Sequence, residues 1–360
     1  MNQKEKELFL ELCAFRAPNA SKIERLLRAG AATSDVLGML FSNRMAGVAY
    51  HVLQKTKLLD LVDREFRNSI RNTSLQNEKI NEDYLGCTKF LTAELEACGV
   101  PYALLKGAFL CHWYPKGCRT SNDIDVLIAP EDVGKVSARL KLAGFRQGHL
   151  KNGVFVPASR QEIIESKMTR GETVPFIKEV KLPFMNYLEV DLNFSLDFKN
   201  SNDATLKDML KRTHIMTVES AKIRMLDIYD FLLHLCAHLY KEATTVPWIR
   251  MKRDMTFYKY CDIYMLLRDM QPEELALLGD RADDLHVRRE WLYCLASMDS
   301  FFKTDFLSDA RLTELEKSEL DEVIAPTEKK IYRYRVSDPK TRFFMKDRMK
   351  LLGGAREWKA

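Results

Sequence analysis

Two aspartates near the middle of the chain, Asp123 and Asp125, lie two residues apart in the otherwise apolar run DIDVLI. In a β-strand, side chains two residues apart project from the same face, so this spacing predicts two adjacent carboxylates. Adjacent carboxylates repel each other unless a cation lies between them. Mg²⁺ is the hard cation that accepts such ligands and leaves positions for phosphate oxygens. The pair therefore indicates either a magnesium site or a strand edge that faces solvent.

A second pair of acids, Glu189 and Asp191, has the same spacing in the run YLEVDLN, which also has the pattern of a strand. Three acids on two strands can hold one or two Mg²⁺ ions for in-line displacement at phosphorus. The residues alone leave open whether Glu189 or Asp191 would be the third ligand, because both share a strand face.

Cations lie close to these acids in the chain. Lys106 and Gly107 follow an apolar run at 100–105 and begin a short predicted helix, and Arg119 precedes the first acid pair. A glycine at a helix start lets the backbone approach a phosphate, and the N–H groups there favour anions. This combination favours a phosphate-binding site over a bare strand edge.

The elements that position these residues follow from the patterns around them. Helical periodicity covers residues 1–98, a small α/β core covers 99–200, helices resume from about Ala204 within a segment at 201–325, and a basic tail occupies 326–360. Strands are predicted at 100–105, 123–128, 154–157, 175–182 and 187–194. The layout predicts an α+β fold with its chemistry in the middle segment.

The motifs resemble a known family. Leu105-Lys106-Gly107, then Arg119, then the run 123–128 are similar to the core of the bacterial "uncharacterised nucleotidyltransferase" family, within the DNA polymerase β-like nucleotidyltransferase superfamily. In this resemblance the third family acid is Asp191, and Asn193 stands where the family usually has a histidine. The resemblance implies a small mixed-sheet polymerase β-like core, flanked by N-terminal and C-terminal helical regions.

The resemblance also implies an activity. Asp123 and Asp125 would bind the Mg²⁺ ion that carries a nucleoside triphosphate such as ATP, and Asp191 would help to hold a second ion, with Mn²⁺ as a substitute. A hydroxyl of a small molecule, a protein or an RNA would attack the α-phosphorus and release pyrophosphate. The residues expected to contact the nucleotide are Lys106, Gly107, Arg119, Ser121 and Asn122.

Two further residues are candidates by the same resemblance. Similar nucleotidyltransferases often carry a histidine and an aspartate on two successive helices, which would be His238 and Asp262 here. These residues either contact the acceptor or tie the helices together, and the second role is favoured. His234 and His238 are spaced for one helix face, but no glutamate follows His234, so a zinc hydrolase motif is not supported.

Composition excludes several classes of protein. With 46% hydrophobic and 30% charged residues among 360, the chain can form a sizeable core and is not globally disordered. No run reaches the roughly 18 apolar residues that span a bilayer, and the start of the chain resembles no secretory signal. The eight cysteines have no C-x-x-C spacing, which predicts buried, reduced thiols. The predicted location is cytoplasmic, with no membrane partner.

The net charge of +5 is uneven. Residues 326–360 hold 11 Lys or Arg and four Asp or Glu, a net of +7, which leaves −2 for the rest. Basic and aromatic residues alternate there, so this segment either binds RNA or packs on the body, and packing is favoured. A second basic stretch contains Trp248, Arg250, Lys252 and Arg253; it either faces a ligand or lies in solvent, and solvent is favoured.

The sequence therefore predicts a magnesium-dependent nucleotidyltransferase. The alternatives are a nucleotide- or RNA-binding relative without turnover, and a toxin-like nucleotidyltransferase that acts on tRNA. The intact acids Asp123, Asp125 and Asp191 favour the enzyme, whereas the basic tail is the feature that favours an RNA substrate.

Overall fold

A computed structural model describes residues 1–169, 171–196, 203–219, 221–308 and 319–358. The chain forms two compact units, and each of them combines segments that are separate in the sequence. The central unit comprises Ala46–His51 and Arg67–Phe231, and the terminal unit comprises Met1–Met45, Val52–Phe66 and Leu232–Ala360. The segment boundaries at 98, 200 and 325 stay predictions.

Helices occur in both units. The described α-helices are α1 (Gln3–Cys13), α2 (Ala20–Arg28), α3 (Ser34–Ser42), α4 (Ala46–Lys55), α5 (Arg64–Cys98), α6 (Gly107–Trp113), α7 (Val133–Leu142), α8 (Arg160–Thr169), α9 (Asp203–Lys211), α10 (Ile228–Ala243), α11 (Val246–Arg250), α12 (Phe257–Leu267), α13 (Pro272–Asp284), α14 (Arg288–Phe302) and α15 (Pro339–Phe343).

Strands occur in two sheets, one in each unit. The described strands are β1 (Tyr102–Leu104), β2 (Asp123–Ile128), β3 (Arg146–Lys151), β4 (Val154–Pro157), β5 (Phe176–Glu179), β6 (Tyr187–Asn193), β7 (His214–Val218), β8 (Ala221–Met225), β9 (Glu322–Ala325), β10 (Lys330–Tyr334) and β11 (Leu352–Glu357).

The sheet of the central unit has eight strands in the order β4-β3-β5-β6-β2-β1-β8-β7. The pairs β2–β6 and β1–β8 are parallel and the other neighbours are antiparallel, so the sheet is mixed. The expected mixture of helices and a mixed sheet is confirmed, but the sheet is larger than predicted because β3, β7 and β8 were not recognised.

The helical pattern predicted from about Ala204 is wrong between α9 and α10, where the chain forms β7 and β8. In β8, Ala221, Ile223 and Met225 are buried and alternate with less buried residues, which is the period of a strand and not of a helix. Glu219 ends β7 with a left-handed backbone (φ 51°) that turns the chain toward β8. The β7–β8 hairpin then completes one edge of the sheet.

The core of the central unit forms on one face of the two parallel strands. Ile124 and Val126 of β2 and Val190 and Leu192 of β6 are fully buried in a cluster that also contains Tyr84 of α5. Fully burying a side chain of this size contributes roughly 1.5–3 kcal/mol, so these residues fix the register of the two strands. The register in turn decides where the acids between them lie.

The predicted basic tail is a folded part of the terminal unit. β9, β10 and β11 form an antiparallel sheet. Phe343 of α15 packs against Phe9 and Phe257, with ring centroids 5.7 and 5.2 Å away. All eight cysteines of the chain are buried and free, as predicted. Among the described residues, no helix has both the length and the apolar content to cross a membrane.

Candidate active site

The register of β2 and β6 brings the two acid pairs side by side. Asp123 is the Cα partner of Glu189, and Asp125 is the partner of Asp191. Neighbouring strands lie about 4.8 Å apart, and side chains alternate in phase across a paired sheet. Four carboxylates are therefore gathered on one face of the central sheet.

Lys106 reaches this face from the end of β1. Its Nζ lies 2.7 Å from Oδ1 of Asp125, and the backbone N–H of Leu105 donates to the carbonyl of Asp125 at 2.9 Å. The backbone of Lys106 has φ 48° and ψ −110°, a conformation that costs a residue with a side chain roughly 1–3 kcal/mol. The surrounding structure must offset this cost, and in this conformation the Lys106 ammonium contacts Asp125.

Ser121 and Tyr84 orient Asp123. The Ser121 hydroxyl donates to Oδ1 of Asp123 at 2.8 Å, and the Tyr84 hydroxyl donates to the backbone carbonyl of Asp123 at 2.9 Å. Sequence reasoning placed Ser121 near a phosphate and missed Tyr84. Nothing in the pattern of the long helix α5 distinguishes Tyr84 from an ordinary core residue.

The structure gives Gly107 a packing role. A Cβ at this position would lie 2.4 Å from the Cβ and 2.6 Å from the Oγ of Ser121. The helix α6 can therefore approach Ser121 only if residue 107 has no side chain. The absence of a side chain at Gly107 is thus required for packing against Ser121, whereas the sequence predicted that it lets the backbone approach a phosphate.

Replacing Gly107 with alanine should lower the free energy of unfolding by about 1–3 kcal/mol, because the methyl group displaces the backbone around Ser121. Urea denaturation measures the change. Gly86→Ala is the matched control, since a Cβ there meets no atom within 4 Å and alanine favours a helix. An equal or higher stability for Gly107→Ala would contradict the packing role.

The electrostatics of the four acids differ. Burial raises the pKa of Asp123, but the Lys106 ammonium, the Ser121 hydroxyl and Arg119 outweigh it and hold this pKa below its usual value. The pKa of Asp191 is well above its usual value, first because of burial and then because Asp125 and Asp123 are close.

The pKa values of the other two acids, Asp125 and Glu189, are also above their usual values. Burial and the charge of Asp123 raise the pKa of Asp125, although Lys106 lowers it. Burial, followed by Asp123, raises the pKa of Glu189. Crowded carboxylates of this kind are relieved by a proton or by a cation.

Arg119 and Asn122 lie on the loop that leads into β2. Arg119 is buried, its guanidinium donates to the carbonyl of Thr120, and its own carbonyl accepts a hydrogen bond from the Asn81 amide at 2.8 Å. Asn122 is exposed. Of the predicted nucleotide contacts, Lys106 and Ser121 directly contact the acids.

Asn193 bridges two of the acids. Its amide Nδ2 donates to Oδ1 of Asp125 at 3.2 Å and lies 3.3 Å from the carbonyl oxygen of Asp191. Sequence reasoning noted Asn193 only as a departure from a family pattern. In the β2–β6 register Asn193 lies two positions beyond the Asp125–Asp191 pair and therefore on the same sheet face, which explains how it reaches this carboxylate.

Of the comparisons with known proteins, the match to a family model agrees with the motifs. The family described as "uncharacterised nucleotidyltransferase" matches residues 30–303, more than two thirds of the chain. The chain belongs to this uncharacterised nucleotidyltransferase family. No curated protein matches it. A solved structure of an antigenic nucleotidyltransferase-like protein from Paracoccidioides brasiliensis matches with 16% identity and a TM-score of 0.33, covering 57% of this chain and 90% of that one.

The donor set of this family member fits magnesium in its chemistry. Carboxylate oxygens are the ligands that Mg²⁺ prefers, and the register gathers four carboxylates on one face. Burial and then the neighbouring acids raise the pKa values of Asp125 and Asp191. In the described part of the chain, no three His, Cys, Asp or Glu side chains are arranged to hold a metal ion as they stand. The Lys106 ammonium instead occupies a cation position at Asp125.

His238 and Asp262 belong to the terminal unit, whereas the four acids belong to the central unit. His238 Nε2 is 3.2 Å from Oε1 of Glu242, and Glu242 also pairs with Lys259. Glu242 thus ties α10 to α12, and Asp262 is buried on α12. This arrangement supports the helix-tying role for the region, although Glu242 and Lys259 were not predicted to provide it.

Replacing Glu242 with glutamine should lower the free energy of unfolding by about 3 kcal/mol at neutral pH, because Lys259 and His238 lose a buried partner. Burial alone would raise the pKa of Glu242, but His238 and Lys259 hold it far below its usual value. The carboxylate therefore stabilises the fold above its unfolded pKa of roughly 4.3, and this contribution is lost as the pH falls further.

Chemical denaturation between pH 3 and 8 tests this prediction. Glu24→Gln is the control, because Glu24 forms an exposed pair with Arg28 and such pairs contribute at most about 1 kcal/mol. A similar small loss for both variants would show that Glu242 does not tie the helices.

Proposed function

We propose that the chain transfers a nucleoside monophosphate from a nucleoside triphosphate to a hydroxyl acceptor and releases pyrophosphate, with Mg²⁺ as the cofactor. The observation that supports this most is the parallel register that pairs Asp125 with Asp191 beside Asp123 and Lys106. Membership of the nucleotidyltransferase family points the same way. In this proposal the central unit contains a polymerase β-like core.

Asp123, Asp125 and Asp191 would hold Mg²⁺, which when bound neutralises charge on the phosphate oxygens. Lys106 contributes a positive charge beside Asp125 that a triphosphate would share. Gly107, Arg119, Ser121 and Asn122 stay predicted contacts of the triphosphate, of which Ser121 also orients Asp123.

Asp191 is the proposed general base. Its carboxylate lies on the same sheet face as those of Asp123 and Asp125, where it would face an acceptor hydroxyl held at this site. Asp191 takes the proton of the acceptor hydroxyl, the acceptor oxygen forms a bond to the α-phosphorus, and the bond to the pyrophosphate oxygen breaks. Glu189 is the alternative base, on the same face and opposite Asp123.

The test is incubation with each α-labelled nucleoside triphosphate, Mg²⁺ and a lysate separated into protein, RNA and small-molecule fractions. Label should enter one fraction with the wild-type chain and not with the double variant Asp123→Ala, Asp125→Ala. Metal-dependent nucleotide binding without transfer into any fraction would favour a binding protein and contradict the enzyme.

An RNA acceptor is less favoured by the structure of the C-terminal segment. Four arginines there form ion pairs inside the terminal unit, which reduces the positive charge available to a phosphate backbone. The pairs are Arg333–Glu322, Arg356–Glu322, Arg342–Asp321 and Arg348–Asp254.

A further inference from the structure

The terminal unit contains a groove that the proposed reaction does not use. The groove lies between α3, the loop after α11 and the segment after α15, and its cavity volume is about 470 Å³. This volume is within the roughly 300–1,000 Å³ of small-molecule sites. We call it the α3 groove, and its apolar wall contains Met39, Met255, Phe343, Phe344 and Met345.

Two lysines give the α3 groove a positive charge. Lys252 and Lys346 line it, and within the described chain neither ammonium forms an ion pair or a hydrogen bond. The other charges at the groove are compensated, because Arg348 binds Asp254 at 2.6 Å and the amino terminus lies 3.6 Å from Asp35. The two basic segments that the sequence singled out thus meet at one apolar cavity.

Most of the uncharged polar side chains that line the groove already form hydrogen bonds within the protein. Ser42 and Asn43 both donate to the carbonyl of Met39, and Thr256 donates to the carbonyl of Arg253. A sugar or a nucleobase would find few donors here. An aliphatic chain needs none, and flexible methionine side chains adapt to its shape.

We propose that the α3 groove binds a single-chain aliphatic carboxylate, with the chain against the methionines and phenylalanines and the carboxylate near Lys252 and Lys346. Every lining residue of the α3 groove belongs to the terminal unit and none of the four acids does, so this proposal does not rest on the proposed nucleotidyl transfer. A failure of the proposed reaction would therefore leave the binding proposal unaffected, and the reverse also holds.

Gly38 offers a way to fill the groove without disturbing the fold. It lines the groove from the interior of α3, and a Cβ there meets no atom within 4 Å. Gly38→Phe should therefore place a ring in the groove, while Gly38→Ala should leave the groove open and favour the helix slightly.

Calorimetric titration of the full chain with decanoate tests the proposal, with decyltrimethylammonium as the ligand of equal chain length and opposite charge. We expect one saturable decanoate site per chain, at least about tenfold weaker binding of the cation, and a similar loss for the double variant Lys252→Gln, Lys346→Gln. Gly38→Phe should abolish binding, and Gly38→Ala should retain it.

Lys350→Gln is the charge control, because Lys350 is 82% exposed and does not line the groove. The absence of saturation up to roughly 1 mM, equal binding of both ligands, or full binding by folded Gly38→Phe would overturn the proposal. Thermal unfolding of each variant without ligand establishes that it is folded, so a loss of binding reports on the groove.

Discussion

Replacing Asp123 with asparagine should reduce nucleotidyl transfer by about a thousandfold, or about 4 kcal/mol of transition-state stabilisation. Asparagine keeps the shape of the side chain but removes the charge that would bind the cofactor. The same change should lower the free energy of unfolding by about 1 kcal/mol. The reason is that Lys106 and the Ser121 hydroxyl favour the charged form of Asp123, and this outweighs the cost of its burial.

Two measurements check this result. Transfer is followed with an α-labelled triphosphate, and stability by urea denaturation at pH 7.5 and at pH 3. The stability difference should be complete above roughly 3.9, the pKa of an unfolded aspartate, and shrink as the pH falls below it. It disappears once the pH is also below the lowered pKa of Asp123 in the folded chain, because the carboxyl is then protonated in both states.

Asp132→Asn is the control. Asp132 follows the same strand and its side chain makes no capping hydrogen bond, so both readouts should stay close to wild type. Full transfer by Asp123→Asn would remove Asp123 from the proposed metal ligands.

The strands that position the acids could be predicted from the sequence. β2 has the predicted bounds, Asp123–Ile128, and β6 differs from the prediction by one residue at its end. Each is a short, strongly apolar run in which buried residues and acids alternate. The alternation in the sequence and the burial in the fold therefore both favour a β-strand. The choice between neighbouring registers could not be made from either strand alone.

The contacts that orient the acids could not be predicted. Tyr84 lies 39 residues from Asp123, and only the packing of α5 on the sheet brings its hydroxyl to that carbonyl. Lys106 has a left-handed backbone, which its residue type opposes and its neighbours impose. The sequence pattern does not predict the β7–β8 hairpin, because its outer strand is largely exposed and has no clear apolar period.

The strands of the C-terminal segment were missed for a related reason. Residues Tyr332–Arg335 alternate aromatic and basic side chains, which indicates either an RNA-binding tail or a tail packed on the body. In the fold Tyr334 is buried in a small core with Val323 and Leu351, whereas Arg333 pairs with Glu322. Partners so distant in sequence are not visible from charge and aromatic content.

Replacing Asp191 with asparagine should abolish transfer and yet raise the free energy of unfolding by about 1–2 kcal/mol at neutral pH. The pKa of Asp191 is well above its usual value because of burial, Asp125 and Asp123, so its charged form opposes folding. An acid whose folded pKa is raised costs stability above its unfolded pKa of roughly 3.9. The gain should therefore be absent near pH 3 and complete at alkaline pH.

The effect of Mg²⁺ on stability shows whether Asp191 is a metal ligand or only an acid whose charge opposes folding. The wild-type chain should be stabilised by Mg²⁺, by about 2.7 kcal/mol at a hundred times the dissociation constant, whereas Asp191→Asn should gain much less. Glu179→Gln, on the exposed end of the neighbouring strand β5, should match wild type in both respects. If Asp191→Asn were less stable than wild type without Mg²⁺, the crowding of the four carboxylates would not be a cost to the fold. We expect opposite stability changes in Asp123→Asn and Asp191→Asn, with transfer lost in both, because Lys106 and Ser121 favour the charged form of Asp123 whereas burial and the neighbouring acids disfavour that of Asp191.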